Sequence, residues 1–232
     1  MAELENDTSG APGEKGRKDV SPRRSGRTVV LAGIACAAVA GVLYGILAVG
    51  GKETANSDCG LSAPAMAELQ KLAQGHVAGL TVSKHPQRAT EISFDGPDGS
   101  RRKLSDFRGK TVLLNLWATW CLPCRAEMPA LDKLQAKRGG KDFEVVAVNI
   151  DTARLEKRQA FLDEAGVKTL ALYADPKATV FQVLRQAGKV VGLPTTLLID
   201  SRGCELGIMS GPAEWASDDA LKLIQAAAGI KS

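Results

Sequence analysis

Histidine is nearly missing from this 232-residue chain, which has only His76 and His85. Close cysteine pairs are equally few: of five cysteines, only Cys121 and Cys124 stand near one another. With no second Cys-x-x-Cys and no paired histidines to complete a tetrahedral set, a zinc centre on that pair is excluded and no metal is expected. Nucleotide and flavin motifs are also missing, so no cofactor is expected beyond the cysteine pair itself, and electrons must come from another protein. There is no internal repeat. Surplus charge of one sign is lacking too, since the formal net charge is +4. Six basic residues (Lys15, Arg17, Lys18, Arg23, Arg24, Arg27) and five acids lie in the first 27 positions, leaving 24 basic and 21 acidic residues for the rest. That balance offers no electrostatic footprint for nucleic acid.

Residues 1–27 are polar and contain almost no large apolar side chain, so they cannot offset chain entropy by burial and are expected to be a disordered tail. Residues 28–50, TVVLAGIACAAVAGVLYGILAVG, carry no charge at all. A run of this length matches the roughly 20 residues with which a helix crosses a bilayer. The six basic residues precede the run and only Lys52 closely follows it, so the N-terminus is expected in the cytoplasm and the bulk of the chain in the periplasm, held at the inner membrane. No clear Ala-x-Ala site follows, which favours an uncleaved anchor over a signal peptide. Cys36 reads as a small apolar residue of the span. Residues 51–87 read as a linker and a helical segment, amphipathic over 64–77, with Met66, Leu69, Leu72 and Val77 near one face; residues 79–90 show no pattern.

From Glu91 onward the pattern is that of an α/β domain over 88–232. EISF, TVLLNLWA, FEVVAVNID, LALYAD, TTLLID and ELGIMSG read as strands. Helices are expected over Leu122–Lys137, 153–165, Ala178–Gln186 and Glu214–Ala228. The sequence Trp120-Cys121-Leu122-Pro123-Cys124 falls where the buried TVLLNLWA strand ends and a helix begins. A dithiol suits that junction for a physical reason: unpaired N–H groups and the dipole at a helix N-terminus stabilise a thiolate, the species that attacks disulfides. Cys121 is therefore the expected nucleophile, and Cys124, one turn on, the resolving thiol. Pro123 is tolerated in the first turn because N–H groups there lack helical partners.

KTVLLNLWATWCLPCRAEMP, with LSDFRGK before it and VVAVNID and GLPTTLLID after it, resembles the thioredoxin superfamily, and within it the membrane-anchored TlpA/ResA branch. The resemblance covers about residues 88–230. It implies a thioredoxin-like fold, a central mixed sheet flanked by helices. On the residues alone, Pro194 is an ordinary proline at a strand start; the resemblance implies a cis Leu193–Pro194 bond, leaving the Leu193 backbone free to pair with a client beside Cys121 and Trp120. Glu127, three residues after Cys124, stands where this branch carries an acid and is the candidate proton acceptor. Asn115 departs from general thioredoxins, which place a buried aspartate there. Trp117 and Trp120 are expected to pack around the site, and Pro129 to kink the helix.

The resemblance further implies reduction of oxidised cysteine pairs in exported proteins of cytochrome c or cytochrome oxidase maturation, with a membrane thiol carrier as electron donor. The alternatives are a dithiol oxidant, a peroxidase, and a non-catalytic haem or copper chaperone using Cys121 and Cys124 as ligands. Cys59 and Cys204 remain; in an oxidising compartment they are expected to form a structural disulfide. The orientation has a direct check. A reporter enzyme that works only outside the cytoplasm is expected to be active when fused after residue 60 and silent when fused before residue 27; the reverse pattern would overturn the topology.

Overall fold

The computed structural model describes residues 59–230. The expected tail 1–27, span 28–50 and first part of the linker lie outside the described residues, among which no helix is long and apolar enough to cross a membrane.

The first described element is helix α1 (Ala63–Leu72), whose Ser62 side chain caps Ala65 N–H and whose Met66 and Leu69 are buried. The single amphipathic stretch expected over 64–77 is broken after Leu72. A 3-10 turn, Gly75–Val77, follows, with Gly75 at φ +55°. A side chain at Gly75 would run into the Asp219 carboxylate, which accepts from His76 N–H at 3.3 Å. The local geometry thus requires glycine both for its backbone and for its missing Cβ.

Eight strands follow: β1 (Leu80–Val82), β2 (Ser93–Asp95), β3 (Arg101–Lys103), β4 (Thr111–Trp117), β5 (Phe143–Asn149), β6 (Tyr173–Ala174), β7 (Thr195–Ile199) and β8 (Glu205–Ser210). They form one sheet in the order β1-β8-β7-β4-β5-β6-β2-β3. β4–β5 and β5–β6 are parallel and the other pairings antiparallel, so the sheet is mixed. Every residue of β4 is buried. Successive strand residues point to opposite faces, so consecutive buried leucines at 113 and 114 mean that both faces are covered.

The remaining helices are α2 (Leu122–Arg138), α3 (Lys157–Glu164), α4 (Thr179–Gln186) and α5 (Asp218–Ala228). α2 runs through Pro129 without a break in the helix. Asp132 on α2 gathers the N–H groups of Lys168, Thr169 and Leu170 on one oxygen at 2.6–3.1 Å, which fixes the approach to β6. α5 starts four residues later than the pattern over Glu214–Ala228 indicates, because Ser217 takes the N-cap and accepts from Ala220 N–H.

Residues 79–90, patternless in sequence, contain β1 and a further edge pairing. Arg88 bridges Cys204, Glu205 N–H donates to Gln87 O at 2.9 Å, and Ala89 N–H to Gly203 O at 2.9 Å. Cys59 and Cys204 are joined in a disulfide with Cα atoms 5.9 Å apart, closing a separation of 145 residues. Chain entropy over so long a loop gives an upper figure of about 5 kcal/mol. The double variant Cys59→Ala/Cys204→Ala is expected to lose about 2–4 kcal/mol of unfolding free energy by urea titration with the other disulfide intact. An unchanged midpoint would show that the bond carries no stability.

Candidate active site

Cys121 sits in the one place where the fully buried β4 hands over to α2. It is the N-cap residue of α2, with extended backbone, and its Sγ accepts from Cys124 N–H at 3.3 Å. The two cysteines are joined in a disulfide, Cα–Cα 5.3 Å. When the bond opens, a Cys121 thiolate stands at the same N–H and the same helix end, as a stronger acceptor than the disulfide sulfur. The turn that leads in is held from β5: the buried Asp151 carboxylate accepts from Thr119 N–H at 3.1 and 3.2 Å and from the Asn149 amide at 2.9 Å. VVAVNID therefore supplies not only a strand but the clamp for the active-site turn, a role its apolar pattern did not reveal.

The Leu193–Pro194 peptide is cis. Register brings it in: Thr195 pairs with Leu116 of β4, one residue before the strand's end. Beyond the proline, Pro194 O accepts from Gly211 N–H at 2.9 Å, and Thr195 Oγ1 donates to Gly192 O at 2.7 Å. The N–H and C=O of Leu193 have no partner among the described residues. Leu193 shares an apolar cleft of about 520 Å³ with Trp120, Cys121, Pro123, Ile150 and Phe181.

The two tryptophans part company. Trp117 is fully buried against Phe161, ring centroids 5.7 Å apart. Trp120 is 71% exposed and forms one wall of the cleft beside Cys121; Leu122 and Val191 are exposed as well. Exposure does not separate the two disulfides: Cys121 and Cys59 are each 5% accessible. Position separates them, because Cys121 lines the apolar cleft and caps a helix.

Glu127, one turn beyond Cys124, is buried rather than solvated. Its Oε1 accepts from Asn115 Nδ2 at 2.7 Å, and its Oε2 accepts from Ala213 N–H at 3.1 Å and Trp215 Nε1–H at 3.3 Å. Burial pushes the carboxyl from an ordinary 4.5 up to about 7, and the three donors only partly oppose it. Asn115 also donates to Thr196 Oγ1 at 2.9 Å, while its own Oδ1 is buried without a partner. Turning the amide over would only exchange the unpaired oxygen for an unpaired NH2, so the three donors face Glu127 as they would a carboxylate. Trp215 and Ala213 carry no motif, and only the folded chain brings them here.

A mixed sheet carrying a dithiol at a helix N-cap beside a cis-proline defines the thioredoxin-fold class of thiol–disulfide exchange proteins. Residues 84–224 match the Redoxin family model, and the chain belongs to that family. It is 40% identical over 119 residues to the thioredoxin-like protein YneN of Bacillus subtilis, a match covering 50% of this chain and 66% of that one. It is 38% identical over 123 residues to the thiol-disulfide oxidoreductase ResA of Geobacillus thermodenitrificans, covering 53% and 67%. The chain thus spans about two thirds of the length of these relatives. Among solved structures, one from Chlorobium tepidum, assigned as the thiol:disulfide interchange protein DsbE, aligns with a TM-score of 0.54 at 35% identity, covering 64% of this chain and all of that one.

The raised Glu127 value has a testable consequence for stability. Between about 4.5 and 7 the folded chain holds a proton that the unfolded chain releases, so raising the pH across that window weakens the fold. The shift corresponds to roughly 3 kcal/mol at most. Glu127→Gln keeps the neutral shape and does not titrate. The variant is expected to gain on the wild type in urea unfolding as pH rises from 4.5 to 7, both disulfides closed. Parallel pH profiles would show that Glu127 does not titrate in that range.

Proposed function

We propose that this protein is a membrane-anchored periplasmic reductase of disulfides in exported proteins, serving cytochrome c or cytochrome oxidase maturation and recharged by a membrane thiol carrier. The observation that carries the exchange chemistry is the Cys121–Cys124 disulfide at the N-cap of α2, in a cleft shared with the unpaired Leu193 backbone. The apolar, charge-free 28–50 run and the basic residues before it support the anchor and its orientation. The reducing direction rests on the likeness to the TlpA/ResA branch, since exchange itself runs either way with the potentials of the partners.

The reaction begins from the reduced pair. A client segment lies as an added strand along Leu193 and Pro194, with Trp120 against its side chains. The Cys121 thiolate attacks one client sulfur; the client S–S bond breaks, the mixed disulfide forms, and the departing client sulfur takes up a proton. Cys124 then loses its proton and attacks the Cys121 sulfur. The mixed bond breaks, the second client thiol leaves protonated, and the Cys121–Cys124 bond closes. Two electrons and two protons have passed to the client. The carrier's dithiol then returns the pair to its reduced form by the same exchange.

Glu127 is the proton acceptor for the resolving step. An ordinary carboxylate lies far below a thiol and is a poor acceptor for its proton; burial raises Glu127 to about 7 and so narrows that gap. Glu127 lies one helical turn beyond Cys124 on α2, on the same buried side of the helix.

Cys121→Ser is expected to abolish insulin reduction, whereas Cys124→Ser accumulates mixed disulfides with clients, visible on non-reducing gels and identifiable by mass spectrometry. Trapped proteins that carry haem- or copper-binding cysteine pairs are the expected clients. Normal turnover by Cys121→Ser would falsify the nucleophile assignment.

A further inference from the structure

A second cleft, of about 570 Å³, opens on the other side of Trp120 from the apolar one. Trp120 and Thr152 line both, so they form the ridge between them. The second cleft is basic. Arg125, Arg154 and Lys157 line it, all exposed, and none joins an ion pair among the described residues. Arg125 lies over the Phe161 ring at 4.8 Å, a contact that orients the guanidinium without neutralising it. Two acids share the lining, Asp151 and Glu164. Asp151 is 1% exposed and its oxygens are engaged by Thr119 N–H and the Asn149 amide, so its charge is directed into the fold. Only Glu164, at the far end of α3, offers an exposed negative charge to the cleft. Arg154 takes a left-handed backbone, φ 54°, a conformation that costs a non-glycine residue free energy and that the turn before α3 nonetheless keeps.

Resting on the exchange reading above, we propose that this cleft receives an acidic segment of the client polypeptide, and that Arg154 and Lys157 set that preference. A client sulfur that reaches Cys121 brings its neighbouring residues against Trp120. On one side of that ridge the walls are apolar; on the other, three grouped cations form no ion pair among the described residues and outnumber the one exposed acid, Glu164. The client chemistry that fits both is an apolar contact at the reacting cysteine and aspartate or glutamate a few residues away. Exposed charge pairs contribute a factor of about 1.5 to 5 each and are screened by salt, so several together give about a tenfold preference that fades as ionic strength rises. Like-charged client segments are repelled, which turns the same cations into a filter.

The test uses the full-length protein in detergent micelles and two synthetic peptides that each contain one intramolecular disulfide. One carries three aspartates beside the cysteines and the other three asparagines at the same positions. At low salt the aspartate peptide is expected to show about a tenfold higher kcat/KM, falling towards parity at about 0.5 M salt. Arg154→Glu/Lys157→Glu is expected to erase or invert that ratio, and Arg154→Gln/Lys157→Gln to give an intermediate value. Versions of both peptides with serine in place of cysteine report binding alone, by calorimetry. Equal rates for the two peptides, or a preference that survives the charge reversal, would overturn the proposal and leave the exchange reading intact. If neither peptide were reduced, yet the aspartate–serine peptide bound in a manner dependent on Arg154 and Lys157, the exchange reading would fall and the acidic-segment surface would stand.

Discussion

Burial of β4 on both faces is the constraint on which the site depends. The strand is hydrogen-bonded to β5 on one side and β7 on the other, so it has no freedom to slide. A one-residue slip would exchange its two buried faces and break both ladders. That fixed rail delivers Cys121 to the end of the sheet, and the same register brings Thr195, and with it cis-Pro194, beside the end of β4. The end of the other neighbour, β5, supplies Asn149, and two residues on Asp151, held by Asn149, accepts from Thr119 in the turn leading into Cys121. Nucleophile, client edge and turn clamp are thus three readouts of one strand's position.

Glu127 adds a second layer of coupling, through polar rather than apolar contacts. Its carboxyl joins α2 to β4 and β7 through Asn115 and Thr196, and to the segment before α5 through Ala213 and Trp215. A buried acid with three donors would ordinarily ionise readily; here burial outweighs them and holds the carboxyl at about 7. An aspartate at Asn115 would place a second carboxyl 2.7 Å from the first and set two acids in competition for one proton. With asparagine there, Glu127 is left as the titrating group of this buried cluster.

Much of this was legible in the residues. The continuous apolar run of β4, the cysteine spacing after it and the order of the flanking segments led to a thioredoxin-like fold, which is the fold observed. Local signals failed where tertiary contacts decide. β1 and the pairing of residues 87–89 have no periodicity because they are short edge pieces held by β8. The helix expected over 64–77 stops at Leu72, and the turn after it sets Gly75 against Asp219, 144 positions away. Asp151 and Trp215 belong to the site only through distant pairings, and no spacing in the chain announces them. Trp120 lies beside Cys121, and its position at the open end of the sheet leaves most of its ring in solvent.

The Cys59–Cys204 bond has a mechanical meaning as well as a thermodynamic one. β8 runs from Glu205 to Ser210, and Ser210 lies opposite Thr195, beside the cis-proline; Cys204 therefore marks the end of the sheet remote from the dithiol. The chain enters the domain at that remote end. Any pull on the segment before Cys59 passes through the disulfide directly into β8, bypassing α1 and the short β1, which would otherwise be the first elements to peel. The load is handed to a strand that is paired to β7 along its length, at the end away from the dithiol. Tension entering at Cys59 is thereby kept at a distance from the geometry around Cys121.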